Sequence, residues 1–106
     1  DDIINTSGYR VGPSEVEDAI LSHPEVSMVA VIGVSDKLRG QIIKAFIVTG
    51  DQKNVLIQND KLKQSIKNHV KLRLAAHEYP RLIEFVYELP LTTTGKIIRK
   101  DLRENN

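Results

Sequence analysis

Three threonines followed by a glycine and a lysine form the stretch of this sequence whose residue types are best suited to chemistry. These residues, 92–96, lie between an apolar run, Leu82–Val86, and a short basic tail. Pro90 cannot donate a hydrogen bond to a strand ladder, so we expect it to end the preceding strand, while Gly95 allows a sharp turn. The pattern predicts that the ammonium group of Lys96 lies at a loop tip, where it can contact a phosphate or a carboxylate.

Two simpler interpretations of this segment are an ordinary exposed lysine and a phosphate-binding P-loop. Most lysines are exposed and have no chemical role, so a Gly-Lys pair alone is weak evidence for a site. A P-loop needs a second glycine five positions before the Gly-Lys pair and a serine or threonine after it. Pro90 and Ile97 occupy those two positions, which excludes a P-loop.

Elsewhere, the sequence contains no residues with the spacing of a catalytic or metal-binding site. The absence of cysteine excludes disulfides, thiolate metal ligands and a cysteine nucleophile. The histidines, at positions 23, 69 and 77, do not have the spacing of metal ligands. Glu15 and Glu17 are two residues apart on a predicted helix, so their side chains diverge. We therefore expect a domain that binds no metal and contributes isolated cationic and backbone groups to a site completed elsewhere.

Two motifs resemble those of a known enzyme superfamily. The pattern Pro-x-Thr-x-Thr-Gly-Lys-Ile-x-Arg at residues 90–99, followed by Leu102-Arg103, resembles the last signature motif of the adenylate-forming enzymes. These are the acyl-CoA synthetases, the adenylation domains of peptide synthetases and the beetle luciferases. Residues 1–17 resemble the motif that opens the C-terminal domain of the same enzymes. The motifs are in the right order and a domain apart, so the resemblance covers the whole chain.

The resemblance implies a function for the chain as a whole and for two of its residues. Residues 1–106 are expected to be the mobile C-terminal lid of an ATP-dependent, AMP-forming carboxylic acid–CoA ligase. The N-terminal domain that binds ATP, Mg²⁺ and the small carboxylic acid is absent from the chain. Lys96 would be the adenylation lysine, and Asp1 the hinge about which the lid rotates to present its other face to coenzyme A.

Three further segments are similar to coenzyme A contacts of the medium-chain acyl-CoA synthetase branch. In the segment Ser-Gly-Tyr-Arg, glycine would let the backbone approach the pantetheine arm, and the arginine would lie near a phosphate or the acyl substrate. Arg-Gly and Tyr-Pro-Arg resemble positions near the nucleotide part of coenzyme A, although an ordinary surface arginine or half-buried tyrosine is equally consistent with the sequence. The candidate coenzyme A residues are Ser7, Gly8, Tyr9, Arg10, Arg39, Tyr79, Pro80 and Arg81.

Two other functions are considered. An adenylation domain that loads a carrier protein would also need the pantetheine-facing loop, but not the arginines that hold the nucleotide of free coenzyme A. A stand-alone RNA-binding or interaction module would need aromatic residues on a sheet face for base stacking. The predicted strands carry only Phe46, Phe85 and Tyr87, which makes the RNA-binding module the least favoured of the three.

Length and composition limit the class of protein. A chain of 106 residues is the size of one domain. Its formal net charge of +1 provides no strong field to attract nucleic acid or an acidic membrane, and no apolar run approaches the ~20 residues that span a bilayer. The absence of cysteine suits a cytoplasmic location. The chain has no starting methionine, so we expect a fragment that is monomeric and inactive on its own.

The elements that position these residues form an α+β pattern, with helices packed on a small, mainly antiparallel three-stranded sheet and a short extended hairpin before it. Strands are predicted at 26–34, 42–48 and 82–87, the first of them buried on both faces or central because it is nearly all apolar. Helices are predicted from Ser14, with Glu17 completing a capping box, from Asp60 to Leu74, and at 97–103.

Overall fold

The computed structural model describes residues 2–105. It contains five strands, which are β1 (Ile4–Thr6), β2 (Tyr9–Val11), β3 (Val26–Asp36), β4 (Gly40–Thr49) and β5 (Leu82–Phe85). Its α-helices are α1 (Pro13–Leu21), α2 (Lys53–Ile57), α3 (Asp60–Lys71) and α4 (Arg99–Glu104), and a single 3₁₀ turn covers Ala76–Glu78. None of the helices in residues 2–105 has the length and apolar character needed to cross a membrane.

All five strands belong to one mixed sheet, which confirms the predicted α+β class. β3 and β4 form a long antiparallel pair, from Val26 opposite Thr49 to Asp36 opposite Gly40. The predicted N-terminal hairpin, β1 and β2, joins this pair through one antiparallel contact between Thr6 and Gly40. β5 lies parallel to β4, because the two helices between these strands return the chain to the same end of the sheet.

Both faces of the sheet are covered. In β3 the consecutive residues 29–32 are all buried, and since neighbouring side chains of a strand point to opposite faces, each face must carry a packed layer. This confirms the prediction for the apolar run at 26–34.

The buried side chains fall into two clusters, one on each face. On the first face, α1 and α3 pack on the sheet through residues that include Val16, Ile20, Ile66 and Val70, together with Val29, Val31 and Phe85 of the strands. On the second face the cluster is smaller and consists of Ala30, Ile32, Phe46, Leu89 and Leu102. Burying one such aliphatic side chain stabilises the fold by about 1.5–3 kcal/mol, so the first cluster supplies most of the apolar stabilisation.

The beginnings of the helices differ from the sequence prediction. α1 begins at Pro13 after Gly12, and no side chain caps it, so the predicted capping box at Ser14 and Glu17 is wrong. Proline at the first helical position has no N–H to satisfy, which reduces the need for a cap. α3 is capped by Asn59, whose side chain accepts from the N–H of Leu62, instead of by the following aspartate.

One helix was not predicted, and two others have shifted ends. α2 lies in a segment for which no helix is predicted above. It is held by buried Asn54, whose side-chain amide donates to Thr49 Oγ1 over 3.2 Å. α3 ends at Lys71, before the predicted Leu74, which leaves the helix but still packs on the first core cluster. α4 begins two residues later than predicted, because the residues before it complete a turn with the preceding segment.

Candidate functional site

The segment from Pro90 to Ile98, here called the lysine hairpin, is a turn closed by its own hydrogen bonds. The N–H of Ile98 donates to the carbonyl of Pro90 over 2.9 Å, and the N–H of Thr92 donates to the carbonyl of Lys96 over 2.8 Å. Thr92 also uses its side chain, since its Oγ1 accepts from the N–H of Lys96 over 3.0 Å. Gly95 has φ +86°, a conformation that other residues adopt only with strain. The threonines and the glycine therefore fix the backbone at Lys96.

The side chain of Lys96 projects from this rigid turn. Lys96 is exposed, and within residues 2–105 its ammonium group has no ion-pair or hydrogen-bond partner. The structure therefore confirms the prediction that Lys96 lies at the tip of a loop. A cation that is held at its backbone and unpaired at its charge is available for an anion supplied from outside the domain.

The base of the lysine hairpin packs on the second face of the sheet. Leu89, just before the hairpin, and Leu102 of α4 are buried in the second core cluster, and Ile97 packs against it. These contacts attach the hairpin and α4 to the side of the sheet opposite α1 and α3.

An arginine of α4 also joins the base of the hairpin to α1. Nη2 of Arg99 lies 2.8 Å from both carboxylate oxygens of Glu17. Oε2 of Glu17 in turn accepts from the N–H of Val31, at 2.9 Å. This N–H points away from β4, so the Glu17 carboxylate covers the free edge of β3 and joins the two faces there.

Asp2, at the beginning of the described chain, contacts two arginines of α4. Its Oδ1 accepts a 3.0 Å hydrogen bond from Arg103, and its Oδ2 lies 3.6 Å from Nη1 of Arg99. The hydrogen bond from Arg103, followed by the charge of Arg99, lowers the pKa of the Asp2 carboxyl group. The predicted hinge residue, Asp1, lies outside the described residues.

A second candidate site is the tight turn between β1 and β2. Ser7 and Gly8 both have positive φ, 53° and +83°, as a two-residue hairpin turn requires. Apart from Gly8 and its two chain neighbours, no residue has an atom within 4 Å of the position that a Cβ at Gly8 would take. The backbone at Gly8 is thus open to solvent, and the space in front of it is free for a ligand.

The fold brings the other predicted coenzyme A residues close to this turn. The N–H of Ser7 donates to the carbonyl of Arg39 over 2.9 Å. The ring of Tyr9 stacks on the imidazole of His77, with ring centroids 3.7 Å apart and 6° between the planes. Since His77 precedes the Tyr79–Arg81 segment by two residues, the three predicted segments are neighbours.

Within this second site the aromatic and cationic groups are arranged around Tyr79. Nζ of Lys71 lies 4.4 Å from the centroid of the Tyr79 ring, and the guanidinium carbon of Arg81 lies 5.0 Å from it. Pro80 is fully buried, which fixes the backbone between them. Arg39 has an ion pair of 3.9 Å with Asp36. Arg10 is exposed.

A pair of carboxyl groups also links α1 to the 3₁₀ turn. The side chains of Glu15 and Glu78 share a hydrogen bond, which together with their mutual repulsion raises the pKa of Glu15. Glu78 accepts the N–H of Ala75 as well, over 3.1 Å. Within residues 2–105 no group of three or more histidine, aspartate or glutamate side chains could hold a metal ion.

The two candidate sites are attached to opposite faces of the sheet. Tyr79 packs against the first core cluster, whereas the base of the lysine hairpin packs against the second. Within the described part of the chain, no hydrogen bond, ion pair or ring contact joins the lysine hairpin to Ser7–Arg10, Arg39 or Tyr79–Arg81. The fold therefore brings the predicted coenzyme A residues together and leaves Lys96 apart from them.

Sequence reasoning missed three contributors to these sites. His77 does not have the spacing of a metal ligand, and no role was predicted for its side chain. Lys71 belongs to the basic face of α3, where a solvated surface is the usual interpretation. The pairing of Glu17 with Arg99 spans 82 positions of sequence, and only the tertiary structure could bring it about.

Comparisons with known proteins agree with the two motifs. The AMP-binding enzyme C-terminal domain family matches residues 15–96. Human acyl-coenzyme A synthetase ACSM1, mitochondrial, is 52% identical over 104 residues, which are 98% of this chain and 18% of that protein. The crystal structure of an acyl-CoA synthetase of Brucella canis has a TM-score of 0.89 and 47% identity, and the match covers 99% of this chain and 19% of the other.

A further similar structure is that of a CoA ligase in complex with an acyl-AMP. The anthranilate CoA ligase AuaEII, described in complex with anthranoyl-AMP, has a TM-score of 0.87 and 41% identity, over 98% of this chain and 20% of the ligase. This chain thus spans about a fifth of the length of the relatives it matches. The family match, the fold and the two motifs lead to one conclusion: the chain belongs to the family of AMP-binding enzyme C-terminal domains.

Proposed function

We propose that this domain is the mobile lid of an ATP-dependent, AMP-forming carboxylic acid–CoA ligase, and that its two candidate sites serve the two half-reactions. The observation that carries this proposal is the attachment of the sites to opposite faces of the sheet. One orientation of such a lid directs Lys96 into the active site, and a rotated orientation directs the Ser7–Gly8 turn there instead.

In the first half-reaction Lys96 stabilises charge. Attack of a carboxylate on the α-phosphate of ATP brings two anions together and builds negative charge on the departing pyrophosphate. An ammonium group already held in place stabilises that charge without transferring a proton. The closed backbone of the lysine hairpin and the unpaired ammonium group suit this role.

In the second half-reaction the Ser7–Gly8 turn lies against the pantetheine arm of coenzyme A. The open space at the Gly8 Cβ position leaves room for that arm. Arg39, Tyr79 and Arg81 would contact the nucleotide part, where a guanidinium group can bind phosphate through two hydrogen bonds and an aromatic face can stack on adenine.

The remaining groups of the reaction belong to a domain outside this chain. We assign ATP, Mg²⁺ and the small carboxylic acid to the N-terminal domain, as the resemblance to the adenylate-forming enzymes implies. The rotation axis at Asp1 is part of the proposal. The absence of cysteine favours a cytoplasmic location, while the human relative is named as mitochondrial, and imaging of the tagged full-length protein would measure the compartment.

The test is to assay the full-length enzyme with and without this domain. The intact enzyme should exchange pyrophosphate into ATP in the presence of a carboxylic acid and should form a thioester with free coenzyme A. Enzyme lacking residues 1–106 should lose both activities. Retention of both activities without the domain would refute the lid proposal.

The same assay separates the alternative functions. A carrier-loading adenylation domain would use a pantetheinylated carrier protein and leave free coenzyme A unmodified. The cationic groups around Tyr79 favour free coenzyme A, because only that substrate carries a nucleotide. An RNA-binding role is disfavoured, since Phe46 and Phe85 are buried in the two core clusters and cannot stack on a base.

A further inference from the structure

We infer that Arg99 is a positioning residue for Lys96, acting through its ion pair with Glu17. This inference rests on the proposed function of Lys96 in adenylation. Arg99 does not itself reach the reacting atoms. Its role is to fix the orientation of the lysine hairpin relative to the rest of the lid.

The geometry of the contact supports a directional role. One nitrogen of Arg99 lies 2.8 Å from each oxygen of Glu17, and the two side chains are only 18% and 15% exposed. Ion pairs that are partly buried are screened less by water and salt than surface pairs, and a charge-assisted hydrogen bond is shorter and stronger than a neutral one. This contact therefore limits rotation of the residues at the base of the hairpin.

Glu17 is itself immobilised by the sheet. Its Oε2 accepts the N–H of Val31, a fully buried residue of β3 that is paired with Ala45 of β4. The orientation of Arg99 is thus set, through Glu17, by the long antiparallel pair of β3 and β4. Arg99 is three residues after Lys96, and the intervening Ile98 closes the hairpin through Pro90.

The other attachments of the hairpin cannot do the same. Leu89, Ile97 and Leu102 make apolar contacts, which are non-directional and tolerate small rotations. The Arg99 side chain also buries an Nε–H that has no partner within residues 2–105, which costs free energy. An apolar side chain would avoid this cost, so the ion pair is better explained by orientation than by stability.

The experiment compares both half-reactions in variants of the full-length enzyme. Glu17→Gln keeps an oxygen that can accept from Val31 but removes the charge. Arg99→Leu removes the ion pair from the other side, together with the 3.6 Å contact between Arg99 and Asp2. Each should lower the kcat for pyrophosphate exchange at least tenfold, with KM for ATP and the carboxylic acid within twofold. Thioester formation from preformed acyl-adenylate should remain within twofold. Arg103→Leu, on the same helix but bonded only to Asp2, is the matched control and should change neither half-reaction by more than about twofold.

Two further measurements separate positioning from a general loss of structure. The double variant of Glu17 and Arg99 should be no slower than Arg99→Leu alone, because that change already removes the ion pair with Glu17 together with the 3.6 Å contact with Asp2. In the 106-residue chain, Glu17→Gln should speed hydrogen exchange of the amides of the lysine hairpin at least tenfold and leave those of α3 unchanged.

The outcomes distinguish this inference from the proposed function. Equal losses in the two half-reactions, or unchanged exchange in the lysine hairpin, would overturn the positioning role. If Lys96→Ala abolishes pyrophosphate exchange but the Arg99 and Glu17 variants retain it, only the positioning role fails. If Lys96→Ala itself leaves exchange intact, the proposed function of the lysine fails first.

Discussion

Replacing Lys96 by alanine in the full-length enzyme should slow adenylate formation about a thousandfold. The ammonium group has no partner within residues 2–105, so its removal leaves no buried acceptor without a partner. The expected loss of rate therefore comes entirely from lost stabilisation of charge on the reacting phosphates. A unit charge about 4 Å from another contributes about 4 kcal/mol at an effective dielectric constant near 20. Loss of one preorganised donor costs a similar amount, about 2.7–4 kcal/mol, and each ~1.4 kcal/mol is a factor of ten in rate.

The assay is pyrophosphate exchange, followed separately from the reaction of preformed acyl-adenylate with coenzyme A. The second reaction should stay near the rate of the unmodified enzyme, because the residues proposed for it are attached to the other face of the sheet. Lys100→Ala is the matched control. It removes an exposed lysine four residues further on and should alter neither reaction.

Stability should be unaffected by the change at Lys96, because substitution of an exposed side chain without contacts shifts the free energy of unfolding by about 0.5 kcal/mol or less. A melting temperature close to that of the unmodified enzyme would therefore accompany the lost exchange. Pyrophosphate exchange at the normal rate in Lys96→Ala would refute the assignment. A parallel loss in both half-reactions would refute the assignment of one half-reaction to each face of the sheet.

Acetylation of Lys96 removes the same charge, so enzyme acetylated there should show the same defect in pyrophosphate exchange. Full activity of the acetylated enzyme would contradict the proposed role of the ammonium group.

Three other predictions concern the second site and the isolated chain. Gly8→Leu should block thioester formation and spare adenylation. Gly8→Ala shares the backbone strain at positive φ and therefore measures that effect alone. Equal defects in the two variants would exclude a steric effect of the leucine side chain. Glu15→Gln should raise the melting temperature at pH 7. The raised pKa of Glu15 means that the pair with Glu78 stabilises the fold below about pH 4.5 and loses this effect as the pH rises. The increase in melting temperature caused by Glu15→Gln should therefore vanish in acid. An increase that does not depend on pH would contradict this explanation. The isolated chain should be monomeric. It should bind coenzyme A only in the millimolar range, with strong salt dependence, and should not bind ATP at micromolar concentrations, because exposed cations contribute little binding free energy in water. A tight, salt-insensitive nucleotide complex in calorimetry would instead indicate an independent binding module.

Local sequence was sufficient for the parts of this protein whose physics is local. Turn chemistry at Gly95 and in the Ser7–Gly8 pair depends on the φ that each residue tolerates, so the loop tip at Lys96 and the N-terminal hairpin could be predicted. The continuous apolar run at 26–34 required cover on both faces of its strand, and the structure provides it. The motifs likewise identified the family, since they are short stretches at fixed spacing.

Only the tertiary structure could decide which distant groups meet. Glu17 matches a helix-capping pattern, but the fold directs its carboxylate to Arg99 and to the free edge of β3, a choice that depends on where α4 packs. β5 is parallel to β4 because the helices between these strands return the chain to the same end of the sheet. Tyr9 meets His77 for the same kind of reason. Contacts between residues far apart in sequence arise from the packing of whole elements, and no local pattern of residue types specifies that packing.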